Sequence, residues 1–283
     1  MNNEFKNIVS TEWLERHLDS PDIRIVDASW YFEHENRNAE EEFNTSHIPG
    51  ARFFDIDKVR DNSSSFPHMV PNATVFNSTV RSMGIGDGHR IVVYDGFGIR
   101  SAPRVWWMFR MFGVKDVVIL DGGLPKWERE NRPLSNQIVE RSERHFTIFE
   151  DRSILADKED ILRSIAIEHC SIIDARSRER FLGKAPEPRP GLRSGSIKTS
   201  INVPYETLLN EDMTFKKKSE LLDIFGSQNL ELKNPIITSC GSGVTAAVLF
   251  LALDEIGCSK LALYDGSWAE WGSIDEGKHD ESA

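Results

Sequence analysis

The chain of 283 residues repeats itself, and no other feature limits its possible folds so strongly. IRIVDAS (23–29) lies over SIIDARS (171–177), so that Asp27 matches Asp174. YDGFGIRSA (94–102) lies over SCGSGVTAA (239–247), matching Asp95 to Cys240, and DGGLPKW (121–127) lies over DGSWAEW (265–271), matching Asp121 to Asp265. The three matched aspartate positions are 147, 145 and 144 residues apart. Three matches in the same order at nearly constant spacing mark an internal duplication with a domain-sized period.

Within each copy, short apolar runs rich in β-branched residues alternate with segments of helical period. IRIVDAS, RIVVYDG (90–96) and VVILDGG (117–123) read as buried strands, as do SIIDARS, PIITSCG (235–241) and KLALYDG (260–266). Helices are expected after a Ser10 N-cap, up to Gly84, up to Gly113, and over 157–168, 217–225 and 245–256. Strands alternating with helices predict an α/β fold, here two tandem domains that are each a parallel sheet flanked by helices. The expected division is 1–135, a polar connector over 136–156, and 157–283. Ligands of such sheets bind beyond the carboxyl ends of the strands. Asp95 and Cys240 both end strands at that edge, and only one of them is a nucleophile.

Hydrophobic residues make up 39% of the chain, enough for packed cores. The net charge of −11 disfavours nucleic acid or an anionic membrane as partner. There is no apolar run near the roughly 20 residues that span a bilayer, and no basic-then-apolar leader at the start, so a cytoplasmic protein is expected. Three cysteines, Cys170, Cys240 and Cys258, are too few and too scattered for a disulfide framework or a zinc site. No metal or organic cofactor is expected. One stretch runs against the acidic trend: residues 176–198 carry seven Arg and Lys against Glu179 and Glu187, a local balance of +5. It reads either as an anion site or as a solvated loop.

PIITSCGSGVTAAVLFLALDEIG reads as strand, tight loop and helix, with Cys240 at the strand end. Gly241 and Gly243 would let the loop turn through positive φ, and its N–H groups together with the helix start can cradle an anion. The bland alternative is a buried structural cysteine, which is the reading given to Cys170 and Cys258. A cysteine phosphatase would need an arginine where Ala246 stands, and no histidine lies near the loop in sequence to serve as a protease base. A thiol in such a cradle suits attack on sulfur better than on a carbonyl carbon.

These residues resemble a known family. CGSGVT (240–245) is similar to the active-site loop of the 3-mercaptopyruvate sulfurtransferases, a branch of the two-domain rhodanese superfamily. FNTSHIPGA (43–51) and YDGSWAEW (264–271) resemble its two signature segments, and RFLGKAPEPRPGLRSG (180–195) its substrate-arginine segment. The resemblance implies an inactive first domain and a Cys240 persulfide, with Gly241, Ser242, Gly243, Val244 and Thr245 forming the loop around it. It implies that Arg180 and Arg189 bind the carboxylate and keto oxygen of a small-molecule sulfur donor. It also implies that His47 assists proton transfer with Ser242. The acceptor would be a thiol, a thioredoxin-type protein or cyanide. Thiosulfate is the alternative donor, although that branch usually brings cations into the loop where Gly241 and Ser242 are neutral. The family often has an aspartate eleven positions before its histidine, and counted from His47 that position is Asn36.

Overall fold

The computed structural model describes residues 5–167, 170–228 and 230–273. The first half forms one sheet from β1 (Ile8–Val9), β2 (Ile23–Asp27), β3 (Arg52–Phe53), β4 (Arg90–Tyr94) and β5 (Val117–Leu120), in the order β1-β5-β4-β2-β3. The second half repeats this with β6 (Leu155–Ala156), β7 (Ser171–Asp174), β8 (Ile201–Asn202), β9 (Ile236–Ser239) and β10 (Leu261–Tyr264), in the order β6-β10-β9-β7-β8. Every pairing in both sheets is parallel. Strands covered on both faces read as continuous apolar runs, which is why β2, β4, β5, β7, β9 and β10 were visible in the sequence. The four others have two residues each, too short to carry a period. One of them, β6, lies inside the segment expected to be connector and instead forms the edge of the second sheet.

Helices fall close to their signals. Ser10 accepts from the Trp13 amide at 3.1 Å and caps Thr11–Arg16, while Ala73–Ser82 and Ala102–Met111 precede Gly84 and Gly113. In the second half the helices are Lys158–Ile167, Lys218–Gly226 and Ala246–Glu255. The expected end of the first of these, Glu168, and the expected domain end at Ala283 lie outside the described residues. Among the described residues no helix is long and apolar enough to cross a membrane.

The halves share a core. Ala102–Met111 and Ala246–Glu255 are buried nearly all round, as helices sandwiched between a sheet and a second domain must be. They meet across the interface, where Trp106 packs edge-on to Phe250 at 6.1 Å. Two reciprocal bonds follow the duplication: Asp121 accepts from the Phe215 amide at 2.9 Å, and Asp265 accepts from the Val70 amide at 2.7 Å. Each domain therefore lends a loop to the strand ends of the other. Residues 136–151 form no strand or helix and run back over the first half, burying Phe146 and bonding Phe149 and Asp151 to the end of Ala102–Met111 and its cap.

Candidate active site

Cys240 follows β9 directly and is 2% exposed. Ser267 shapes its loop: the hydroxyl accepts from the Cys240 and Gly243 amides at 3.2 and 3.1 Å and donates to the Tyr264 carbonyl at 2.8 Å. Gly243 has φ +78°, and a Cβ there would stand 3.0 Å from Arg104 Nη1 and 3.1 Å from the Asp265 carbonyl oxygen. Only glycine fits both demands. Gly241 differs from expectation, because it is not among the residues at positive φ. Its lack of a side chain makes room instead, since a Cβ would lie 3.0 Å from Arg180 Nη2 and 4.0 Å from Arg189 Nη1. Val244 is buried in the shared core and Thr245 is half-buried at the helix start.

Both substrate-arginine candidates thus converge on the Cys240 loop. The local surplus of charge is smaller in space than in sequence. Arg176 is fully buried between Asp174 and Glu187, and Arg180 also binds Glu187, at 2.5 Å. Glu187, with its side chain 2% exposed, therefore aims the Arg180 fork while spending part of its charge. Arg189 makes no ion pair among the described residues. Burial lowers its pKa first, its interaction with Cys240 opposes this, and the neighbouring Arg180 lowers it. Arg189 lines a cavity of about 810 Å³ together with Trp30, Phe32, Asp57, Pro67 and His68.

The histidine expectation is corrected. His47 is fully buried, stacked on Phe43 at 4.2 Å, with its nitrogens 2.6 Å from the Phe43 carbonyl and 3.3 Å from that of Gln137. Its turn packs into the smaller apolar cluster of the first half, and it makes no bond to Ser242. Asn36 is exposed, bonds weakly to the His34 carbonyl, and does not orient His47. The partner of Ser242 is His68, whose Nδ1 lies 3.0 Å from Ser242 Oγ and whose Nε2 lies 2.9 Å from Asp57. Asp57 stands eleven positions before His68, so the family spacing holds at this pair rather than at Asn36 and His47.

Since a carboxylate only accepts, Nε2 carries the proton and Nδ1 accepts from the Ser242 hydroxyl. Burial lowers the pKa of His68; Asp57 pulls it up, and the cations Arg189 and Arg104 push it down further. Near neutral pH the imidazole is uncharged and can take a proton. For Asp57, burial pushes the pKa up, but the bond from His68, the charge of that ring once protonated in acid, and the Trp30 indole N–H outweigh it, and the carboxylate stays ionised near neutral pH. Sequence reasoning missed this pair because it lies in a loop of the first domain that only the tertiary fold brings over the second. His68 itself sits at φ +59°.

The matching loop of the first half is differently filled. The Asp95 carboxylate accepts from five amides, those of Phe97, Gly98, Arg100, Ser101 and Ala102, at 2.8–2.9 Å. The loop geometry is an anion nest, as its glycine pattern suggests.

The rhodanese-like domain family matches this chain twice, over residues 10–130 and 157–274. The chain is similar to the 3-mercaptopyruvate sulfurtransferase of Escherichia coli, 42% identical over 94% of each chain. It is also similar to the thiosulfate sulfurtransferase of Rattus norvegicus, 39% identical over 94% of this chain and 92% of the rat protein. The crystal structure of an Escherichia coli 3-mercaptopyruvate sulfotransferase superposes with a TM-score of 0.85 at 39% identity, covering 92% of this chain and 98% of the other. Fold and site define a tandem α/β protein with one buried cysteine at a strand end, in the loop onto which two arginines converge. The chain belongs to the rhodanese family, in the two-domain form it shares with 3-mercaptopyruvate sulfurtransferases.

Proposed function

We propose that the chain moves sulfur from 3-mercaptopyruvate to a thiol, thioredoxin-type or cyanide acceptor through a persulfide on Cys240. The observation that carries this reading is the convergence of Arg180, Arg189 and the Asp57–His68–Ser242 chain on the loop that follows β9.

The donor carboxylate docks on Arg180 and Arg189, whose planar forks suit bidentate binding. The Cys240 thiolate attacks the donor sulfur; an S–S bond forms, the C–S bond breaks, and its electron pair leaves on carbon as pyruvate enolate. The proton taken from the Cys240 thiol passes by Ser242 and His68 and returns to the enolate carbon, giving pyruvate. Asp57 holds the imidazole in the tautomer that accepts from Ser242 and stabilises the imidazolium in passing. An acceptor thiolate then takes the outer sulfur and frees Cys240. In this reading the second half, from β6 onward, is the catalytic domain, the first half supplies Asp57 and His68 of the relay over it, and a reducing compartment such as the cytoplasm keeps Cys240 available.

Thiosulfate is the second donor to weigh, given the likeness to a thiosulfate sulfurtransferase. Against it, the loop offers glycine and serine at 241 and 242, so an inorganic dianion finds no cation within the loop itself. Steady-state kinetics with each donor and a common acceptor separate the two. A higher kcat/KM for 3-mercaptopyruvate is expected, and a higher value for thiosulfate would reverse the donor assignment.

A further inference from the structure

Arg104 lies on the helix Ala102–Met111 of the first domain and is fully buried. Its Nη2 donates to the His68 carbonyl and to Asp265, each at 2.6 Å. Its Nε and Nη1 are buried without a hydrogen-bond partner, an expensive state for a guanidinium. The Trp107 ring, 4.7 Å away, offsets part of that cost. Nη1 points under the cysteine loop, 3.0 Å from where a Cβ would sit on Gly243.

The duplication supplies an internal control. Shifted by the 145 residues that relate Asp95 to Cys240, His68 corresponds to Met213, Val70 to Phe215, Gly98 to Gly243, and Arg104 to Leu249. His68 and Met213 share the left-handed backbone, at φ +59° and +66°, and Asp121 takes the Phe215 amide just as Asp265 takes the Val70 amide. The interface beside the Asp95 loop is therefore built the same way with a buried leucine in place of the arginine. Joining the domains does not require the cation. It occurs only where a histidine faces a cysteine loop.

We propose that Arg104 is a positioning residue for sulfur transfer, one that holds the His68 segment over Ser242 and sets a fixed positive charge beneath the cysteine loop. The inference rests on the function proposed above for Cys240. His68 then faces Asp57 at Nε2, Ser242 at Nδ1, and the cations Arg189 and Arg104. Burial does most to lower the His68 pKa, and the two cations add to it against the bond and charge of Asp57.

The test replaces Arg104 by its repeat-mate in Arg104→Leu and by a shorter cation in Arg104→Lys. Each variant is followed by the carbon-13 NMR titration of His68 and by the pH profile of sulfur transfer. In a folded Arg104→Leu the His68 titration and the acid limb of activity should both move to higher pH, because a cation that opposed protonation is gone. In Arg104→Lys both should stay near wild type, while kcat falls at least about fivefold with little change in KM, since one ammonium cannot replace the fork. A folded Arg104→Leu with a wild-type titration and profile would overturn the proposal. Should Arg104→Leu fail to fold, Arg104→Lys decides: unchanged kcat overturns the proposal, and the fivefold loss at unchanged profile supports it. The NMR titration needs no turnover. A wild-type protein inert towards both donors would count against the proposed function, and an unmoved His68 against Arg104.

Discussion

The Asp95 and Cys240 loops are the same piece of structure put to two uses. In the first, a carboxylate at the strand end occupies the nest permanently, taking five amides. In the second, the strand ends in a thiol, and nearby stand cations and the hydrogen-bonded Asp57–His68–Ser242 chain, whose histidine comes from the other domain. A nest built for an anion can be satisfied by the protein's own side chain, which gives stability, or kept for a reacting group, which gives chemistry. The surroundings differ accordingly. Met213 packs over the first loop at Gly98 where His68 covers the second.

The largest expected effect comes from breaking the relay. Asp57→Asn keeps the shape and removes the charge that orients His68 and stabilises its protonated form, so kcat should fall by about 10²–10⁴-fold. Asp57 also raises the affinity of His68 for protons, so the acid limb of the residual activity should move to lower pH. In wild type, with the His68 pKa lowered, that limb should already lie below the ordinary histidine value of about 6.5. An unchanged kcat in Asp57→Asn would mean that the histidine is only a packing group.

Next come Arg180 and Arg189, whose counterparts at the 145-residue offset are Glu35 and Asn44. Arg180→Ala or Arg189→Ala should lower kcat/KM for 3-mercaptopyruvate by roughly 10- to 150-fold, the worth of one charge-assisted bond. Arg189→Ala should be the more harmful, because Arg180 already shares its charge with Glu187. Equal kinetics for both variants and wild type would reduce the basic segment to a solvated loop.

The occupied nest makes a prediction about stability rather than turnover. Asp95→Asn puts an NH₂ group against amides that need an acceptor, and denaturant unfolding should register a loss of about 2–4 kcal/mol. Sulfur transfer per folded molecule should hardly change. A stability loss below the error of the titration would mean that the carboxylate does not hold the loop.

The smallest effect concerns the matched strand ends Asp27 and Asp174. Asp174 is paired with buried Arg176, whereas Asp27 has Ser29 at that place. Burial lifts the Asp27 pKa to about 6, against the bonds from Ser29 that lower it. The folded state then binds the Asp27 proton more tightly than the unfolded chain does. Its stabilising share is present below the unfolded value of about 3.9 and lost as pH rises through 6. Asp27→Asn should therefore flatten the fall in stability between pH 4 and 7, by at most on the order of 2–3 kcal/mol. An identical pH slope in the variant would show that burial does not raise the Asp27 pKa.

Much of this was legible in the sequence because duplication makes each half a template for the other. The six inner strands, the placing of Cys240 at a strand end and the nearness of Arg180 and Arg189 to its loop all follow from local patterns. What was not legible depends on the meeting of the halves. His47 sits in a conspicuous turn and drew the histidine role, while His68 lies in a loop with no periodic signal and acts 174 residues away on Ser242. The eleven-residue spacing to Asp57 was the one clue that could have separated them. Likewise the +5 balance of the basic segment could not reveal that Asp174 and Glu187 neutralise Arg176 and aim Arg180. Two-residue edge strands such as β6 carry no pattern at all and exist through their neighbours.

The central claim is that sulfur rides on Cys240 and on no other cysteine. The full chain is incubated with 3-mercaptopyruvate and no acceptor, then digested without reductant and weighed by mass spectrometry. The peptide containing Cys240 should gain the mass of one sulfur atom, and those with Cys170 and Cys258 should not. Cys240→Ser should abolish the gain, and adding Asp95→Cys to that variant should not restore it, because the first nest lacks the arginines and the relay. Sulfur found on Cys170 or Cys258, or persisting in Cys240→Ser, would contradict the account.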